Sequence, residues 1–284
     1  MAFERLLQEL KEKKEKALQQ GGPERVKKQH DKGRLTARER IARLLDPGTF
    51  VEFGLLACSD MPGMEDKTPA DGLITGYGLV NGRQIGIMAN DFTVLASTNA
   101  RTYTKKAKQM WDKSAEKGFP LVLLGESGGG RLPDIQGAKG IVSLISGDER
   151  SVLSQYSHVR KTPWVTAIMG QANGCPMWQA CLADFVVQVK GSTLSVSGAR
   201  ALRMAISATY SDEEMGGWKV HAEVTGIADQ VAEDEQDCFA IIKEFLDYMP
   251  SNNSELPPVR PVPEGSGENM GHILDFLPEK RTRG

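Results

Sequence analysis

The sequence predicts an α/β fold, and three observations carry that prediction. Short apolar runs alternate with amphipathic helical stretches over residues 73–248. Two of those runs, 120–124 and 164–169, pass into glycine-rich segments that open helices. A third signal is Asn81-Gly82 between two further runs. Both residues of a tight hairpin turn need positive φ, so Asn-Gly there marks a hairpin. Strands and helices that alternate through short connections build a sheet covered by helices.

In chain order, residues 3–20 set Phe3, Leu6, Leu7, Leu10 and Leu18 at helical spacing against a Lys/Glu face, until Gly21-Gly22-Pro23 breaks the pattern. Residues 36–45 form a second helix, opened by the capping box Thr36-x-x-Glu39 and ended at Asp46-Pro47-Gly48. Residues 49–56 read as a short strand, and 73–80 with 84–88 as the hairpin. Residues 99–118 read as a helix with a basic face of Arg101, Lys105, Lys106, Lys108 and Lys113. Next come the buried strand 120–124, helical segments to about residue 159, the strand 164–169 and a helix to about 182. Strands 185–189 and 193–196 follow, then a helix opened by Gly198 to about 206 and a last helix over 233–248. Residues 250–284, rich in Pro, Asn, Ser and Gly, read as an extended linker with no final packed element, the pattern of a truncated end.

A chain of 284 residues suffices for one large or two modest domains. The net charge of -2 gives no argument for nucleic acid. Cysteines 58, 175, 181 and 238 form no C-x-x-C pair, which speaks against a zinc ribbon or a disulfide framework and for reduced thiols in a cytoplasmic protein. No metal site is expected. The charged start lacks the apolar region of a signal peptide, and no apolar run is long enough to span a membrane. Residues 1–44 hold 13 Lys/Arg and 7 Asp/Glu, either a solvated helix face or a basic rim that meets ligand phosphates.

The chemistry concentrates in the two glycine-rich segments, Gly125-Glu-Ser-Gly-Gly-Gly-Arg131 and Gly170-Gln-Ala-Asn-Gly-Cys175. Glycine lets backbone approach a ligand closely, and the first N–H groups of a helix lack internal partners. Such turns suit an anion or a developing oxyanion. Neither is a P-loop or a G-x-G-x-x-G dinucleotide turn. Gly125-Glu126-Ser127-Gly128-Gly129 does match G-x-S-x-G, so a serine hydrolase is a rival reading; its histidine would have to be His158, His221 or His272.

Several ordered motifs between residues 33 and 254 resemble the carboxyltransferase subunits of propionyl-CoA and related biotin-dependent acyl-CoA carboxylases and decarboxylases. They are Gly33-Arg-Leu-Thr-Ala-Arg-Glu-Arg-Ile41, Leu44-Leu-Asp-Pro-Gly-Thr-Phe50, Asp71-Gly-Leu-Ile-Thr-Gly-Tyr-Gly78, Asn90-Asp-Phe-Thr-Val94, Glu126-Ser-Gly-Gly-Gly-Arg131, Glu213-Glu-Met-Gly-Gly-Trp-Lys-Val-His221, Gly226-Ile-Ala-Asp229 and Leu246-Asp-Tyr-Met-Pro-Ser-Asn-Asn253. The resemblance covers the N-terminal half of such a subunit. It implies a crotonase-like spiral of ββα units, with a helical segment at 1–32, the acyl-CoA-binding domain at 33–254 and a linker at 255–284 to a C-terminal domain. The implied reaction moves a carboxyl group between biotin and the α-carbon of an acyl-CoA, whose thioester enolate backbone amides stabilise. Biotin would ride on a separate carrier, since no Ala-Met-Lys-Met signature occurs, and coenzyme A would enter as part of the substrate. The implied partners are the C-terminal carboxyltransferase half, a biotin carboxylase, a biotin carrier subunit and further copies in a trimer or hexamer.

On this resemblance the oxyanion amides fall to Gly129 and Gly130, then to Gly174 and Cys175. Arg38, Arg40, Ser127, Gly128 and Arg131 are the substrate-binding candidates. The family's usual Asp-Ser-Gly-Gly-Ala-Arg is here Glu126-Ser-Gly-Gly-Gly-Arg131, and Pro176 brings no N–H to the second turn. His221 is expected to be structural, Cys175 to be a small turn residue and not a nucleophile, and Trp164, Trp178 and Trp218 to be packing residues. Two other readings compete: a stand-alone crotonase-like acyl-CoA enzyme using Glu126 or Asp134, and a non-catalytic acyl-CoA-binding assembly module.

Overall fold

The computed structural model describes residues 2–135, 156–207, 209–266 and 271–277. Most of the helical stretch expected between 132 and 159 lies outside the described residues; α5 (Leu132–Ile135) is its described start. A single sheet organises the rest. Its strands run in the order β1 (Val51–Phe53), β2 (Leu73–Val80), β3 (Arg83–Asn90), β4 (Leu121–Gly128), β5 (Trp164–Asn173), β6 (Phe185–Val189) and β8 (Gln230–Ala232), with β7 (Thr193–Ser195) paired to the end of β5. The first three strands are antiparallel neighbours and the remainder pair in parallel. Asn81 and Gly82 make the expected hairpin turn, at φ 51° and 75°.

Parallel strands need crossovers, and helices supply them. Helix α4 (Arg101–Lys117) joins β3 to β4 and ends on left-handed Gly118, while α6 (Cys175–Leu182) joins β5 to β6. Helices α3 (Ala37–Leu44) and α7 (Glu235–Tyr248) cover one sheet face through Ile41, Leu44, Phe239, Ile242 and Leu246, against Val122, Leu124 and Val165. Helix α4 covers the other face with Tyr103, Met110 and Trp111. Trp164 packs on Trp111, with centroids 5.9 Å apart, whereas Trp178 is largely exposed and Trp218 lies between Lys190 and Lys219.

The capping box forms as expected, with the Thr36 hydroxyl accepting from Glu39 N–H and the Glu39 carboxylate accepting from Thr36 N–H. Several elements differ from expectation, and four of them bear on the site or its frame. Gly21-Gly22-Pro23 ends α1 (Ala2–Leu18), but Pro23 also starts α2 (Pro23–His30), because proline at a first helical position forfeits only an N–H that has no helical partner. Strands β4 and β5 run beyond residues 124 and 169, into the glycine-rich segments, because Ser127 pairs with Ala172 and Gly128 with Asn173 after a bulge. Finally, β8 is an additional short edge strand.

Candidate functional site

With β4 and β5 extended, the two turns shrink to Gly129-Gly130 and Gly174-Cys175, and they lie side by side. A Cβ on Gly174 would stand 3.6 Å from the Gly129 Cα. Gly129 has φ 102° and Gly174 has φ 76° with ψ -117°, backbone that an L side chain rarely adopts. Sequence chemistry therefore sets the site: glycine permits both reversals, and strand pairing beneath brings them together.

Four amides were expected to face a ligand, and two have internal partners. Gly129 N–H donates to the Ser127 hydroxyl at 3.2 Å, and Gly174 N–H donates to the Ser195 carbonyl at 2.9 Å. The amides of Gly130 and Cys175 have no partner among the described residues. Cys175 is the first residue of α6, where an N–H has no helical acceptor and sits at the positive end of the helix dipole. Its thiol is not a poised nucleophile: burial pushes it up to about 11.

Ser127 is fully buried, and its hydroxyl donates to Ser97 O at 2.9 Å and Asn99 Oδ1 at 3.2 Å. No described histidine ring is bonded to it: His158 meets Asp112, and His221 meets the Leu194 carbonyl and Thr225. Neither His158 nor His221 thus completes a hydrolase triad with Ser127, the side chain of His272 lies outside the described residues, and His221 holds the structural role expected of it. Gly128 packs on a neighbouring loop, where a Cβ would meet Ala96 Cβ at 3.1 Å.

The three candidate arginines are engaged by carboxylates. Arg38 makes a two-pronged pair with Glu52, at 2.8 and 3.1 Å. Arg40 is 1% exposed and donates to Glu126 at 2.7 Å, to Glu235 at 2.6 Å and to the Met169 carbonyl at 3.3 Å. Burial alone would lower its pKa, but the Glu126 and Glu235 carboxylates hold it above the ordinary arginine value. Arg131, also buried, donates to Asp71 at 2.6 Å and to the Thr98 carbonyl at 3.0 Å. Burial raises the Asp71 carboxyl, and the adjacent Arg131 opposes that rise. Arg40 and Arg131 thus present no open face to a phosphate; they brace the strand end before the first turn and the chain just after it.

Sequence reasoning missed what these arginines bind. Glu126 is completely buried, held by Arg40, Arg34 and Gln29. Asp134 is buried too and accepts from the Ser59 hydroxyl at 2.7 Å. Of the two acids considered for a stand-alone enzyme, Glu126 is committed to internal contacts through both carboxylate oxygens, whereas Asp134 is engaged through Oδ1 and its buried Oδ2 has no hydrogen-bond partner among the described residues. The buried helix residue Lys106 donates to the carbonyls of Gly54, Ala70 and Leu73, and burial lowers its ammonium to about 8. No group of three metal-ligating side chains occurs among the described residues, and none of their helices is long and apolar enough to cross a membrane.

Comparison with known proteins gives a consistent picture. The carboxyl transferase domain family matches residues 28–284. The chain is 33% identical over 264 residues to the propionyl-CoA carboxylase beta chain of Roseobacter denitrificans, covering 90% of this chain and 50% of that one. It is 33% identical over 258 residues to the methylmalonyl-CoA decarboxylase subunit alpha of Propionigenium modestum, covering 89% and 48%. The transcarboxylase 12S crystal structure, a hexamer with hydrolysed methylmalonyl-coenzyme A bound, superposes with a TM-score of 0.82 at 28% identity, over 96% of this chain and 53% of that one. The chain thus spans about half the length of the relatives it matches. The shared fold is crotonase-like, as the motifs implied.

Proposed function

Because the chain belongs to the carboxyl transferase domain family, we propose that it binds an acyl-CoA and stabilises the enolate of its thioester during carboxyl transfer. The observation that carries this reading is the pair of adjacent turns whose Gly130 and Cys175 amides are left without partners among the described residues. Removing the α-proton of an acyl thioester puts negative charge on the carbonyl oxygen. Two fixed N–H donors oppose that charge, and in other enzymes one such donor is worth roughly 3–4 kcal/mol. The Gly129 and Gly174 amides serve the same end indirectly, by tying the turns to Ser127 and Ser195.

In this reading Arg40 and Arg131 position the first turn and do not touch substrate. The carboxyl group would pass between the acyl α-carbon and a biotin borne on a separate carrier, in either direction. The two free amides suit one oxygen, that of the thioester, so the donors for biotin belong to a complementary C-terminal half. The N-terminal helical segment, the domain at 33–254 and the linker at 255–284 fit that division, with assembly into trimers or hexamers.

Calorimetric titration with acetyl-, propionyl-, methylcrotonyl- and glutaconyl-CoA, with free CoA as control, tests the reading. It requires saturable binding that is tighter for at least one acyl thioester than for free CoA. Equal affinity for all five would remove the thioester from the recognition and sink the proposal.

A further inference from the structure

Lys106 is a buried cation that bonds to no carboxylate. It lies on α4, 5% exposed, and its ammonium donates to three carbonyl oxygens, those of Gly54 at 3.1 Å, Ala70 at 2.7 Å and Leu73. An ammonium has three protons and no lone pair, so three carbonyls satisfy it fully; a neutral amine would turn its lone pair on one of them. The charged groups that face it are Glu52 of β1, Arg38 of α3 and Asp71. Both carboxylates are taken, Glu52 by Arg38 and Asp71 by Arg131. Burial makes the charged form costly and lowers the ammonium to about 8. The fold thus carries a cost at Lys106, and what the ammonium secures is the turn it holds.

That turn is strained. Ala70, Asp71 and Gly72 follow one another at φ 50°, 50° and 69°, and left-handed backbone at non-glycine residues persists only where its surroundings enforce it. Lys106 gathers the carbonyls of Ala70 and Leu73, one at each end of the run. From here two routes lead to the first glycine turn. On one, Asp71 Oδ1 accepts from Arg131, the residue after Gly130. On the other, Gly72 O accepts from the Ser97 hydroxyl, Ser97 O accepts from the Ser127 hydroxyl, and that hydroxyl accepts from Gly129 N–H. Gly130 stands between the two ends. Asn99 closes the bracket, donating its N–H to Gly129 O and accepting Arg131 N–H on its carbonyl, both at 2.8 Å. Successive backbone groups of an extended chain point to opposite sides, so the N–H of Gly130 itself is turned away from Asn99, to the side on which Asn173 and Gly174 lie.

We propose that Lys106 is a positioning residue for the reaction: its ammonium fixes the 70–72 turn and, through Asp71 and Ser97, the direction of the Gly130 amide. Lys106 does not touch substrate. The proposal rests on reading that amide as an oxyanion donor. Its consequence is that stability and binding move in opposite directions with pH. Above about pH 8 the folded chain sheds the buried charge and gains stability, while one of the three carbonyls is released and the amide loses its aim. A lysine that served the fold alone would move stability and binding together.

The test follows the Gly130 Cα signal of the full chain, labelled with carbon-13 glycine and assigned by its loss in Gly130→Ala, from about pH 7 to 9.5. The signal should shift with a midpoint near 8 in wild type and stay flat in K106Q. Calorimetry with propionyl-CoA should show affinity falling about fivefold across the same window in wild type, the scale of one neutral hydrogen bond, and weakened by that factor at every pH in K106Q. Urea midpoints of wild type should rise over the window. Cys58, whose thiol burial and the Asp71 carboxylate raise, is present in both chains, so its titration cancels in the comparison. Carbon-13 lysine labelling gives a check that needs no folded variant: the lysine Cε signal that titrates near 8 must share its midpoint with Gly130, and different midpoints would overturn the proposal. So would a Gly130 signal that ignores pH, or one that follows it equally in K106Q. If Gly130 follows Lys106 but propionyl-CoA does not bind, the coupling stands and the acyl-CoA reading falls. If propionyl-CoA binds with one affinity across the window, the acyl-CoA reading stands and the positioning role falls.

Discussion

Removing either partner of the Arg40–Glu126 pair tests whether buried charge holds the floor of the site together. The two groups are 1% and 0% exposed, with Nη1 and Oε2 2.7 Å apart. Breaking a buried pair by deleting one partner typically costs about 3–5 kcal/mol, because the survivor stays buried and uncompensated. Here Glu126 would keep Gln29 and the partly exposed Arg34, which places R40M near the lower end, about 3 kcal/mol. E126Q would leave Arg40 with Glu235 at 2.6 Å and should cost about 2 kcal/mol, the scale of one charged hydrogen bond. If the pair acts as a unit, the double variant falls short of the sum by about 2 kcal/mol, within the range found for directly bonded residues. Urea unfolding followed by tryptophan fluorescence supplies the cycle, since Trp111 and Trp164 are buried against each other in the core. Far-UV circular dichroism must give a coincident transition for the two-state arithmetic to hold. A cost below about 1 kcal/mol for R40M, or additive single costs, would refute the reasoning.

Three further outcomes follow from the same geometry. Gly174→Ala should destabilise the chain by about 1–3 kcal/mol, since φ 76° with ψ -117° is a glycine conformation, and should weaken acyl-CoA binding in calorimetry; unchanged affinity would detach Gly174 from the site. Iodoacetamide at pH 8, read by mass spectrometry, should label exposed Cys181 first and spare Cys175, raised to about 11 by burial, and fully buried Cys238 until the chain unfolds; early labelling of Cys175 would contradict its assignment as an inert turn residue. Lys106, lowered by burial to about 8, loses its proton in the folded chain before the unfolded chain does, so its contribution to stability rises with pH from about 8 to 10.5. Urea midpoints across that window should show this rise in wild type relative to K106Q, and parallel curves would remove the effect.

The sequence made the frame legible wherever local rules decide. Asn81-Gly82, the Thr36 capping box and the apolar run at 185–189 each appear where propensity and turn chemistry place them. It misled where a local signal has two meanings: Gly22-Pro23 marks the end of one helix and equally the start of the next. It was silent where partners are distant. Arg40 meets a carboxylate 86 residues ahead and another 195 residues ahead, and no spacing rule anticipates either. For that reason arginine-rich motifs near the start looked like phosphate binders, while cations without carboxylate neighbours were indistinguishable from a solvated helix face. The glycines told a mixed story. They mark the two strand ends, but tertiary strand pairing moves the reversals to Gly129 and Gly174, and the Ser127 hydroxyl and Ser195 carbonyl take up two of the four expected amides.

Glu126 stands where the resembling family usually has aspartate, and the structure shows how the longer side chain is accommodated. Its carboxylate reaches toward β5, where a Cβ on Gly170 would lie 2.3 Å from Oε1. Gly170 is therefore required here for the room it leaves and not for its torsion angles. From that position Glu126 accepts from Arg40, whose guanidinium also donates to the Met169 carbonyl, so one side chain ties the ends of β4 and β5 from below. Nearer the turns the same strands are tied by the Gly128–Asn173 pairing, and β5 is tied to β7 by Asn173 Oδ1, which accepts from the Ser195 hydroxyl at 2.7 Å. Sheet pairing and salt bridge thus brace the strands from which the Gly130 and Cys175 turns spring. Two neutral donors oppose a developing charge well only when they need no reorganisation as it forms. Freely moving loops would lose part of such an interaction to their own ordering, and under the proposed enolate reading the buried ion cluster would remove that loss.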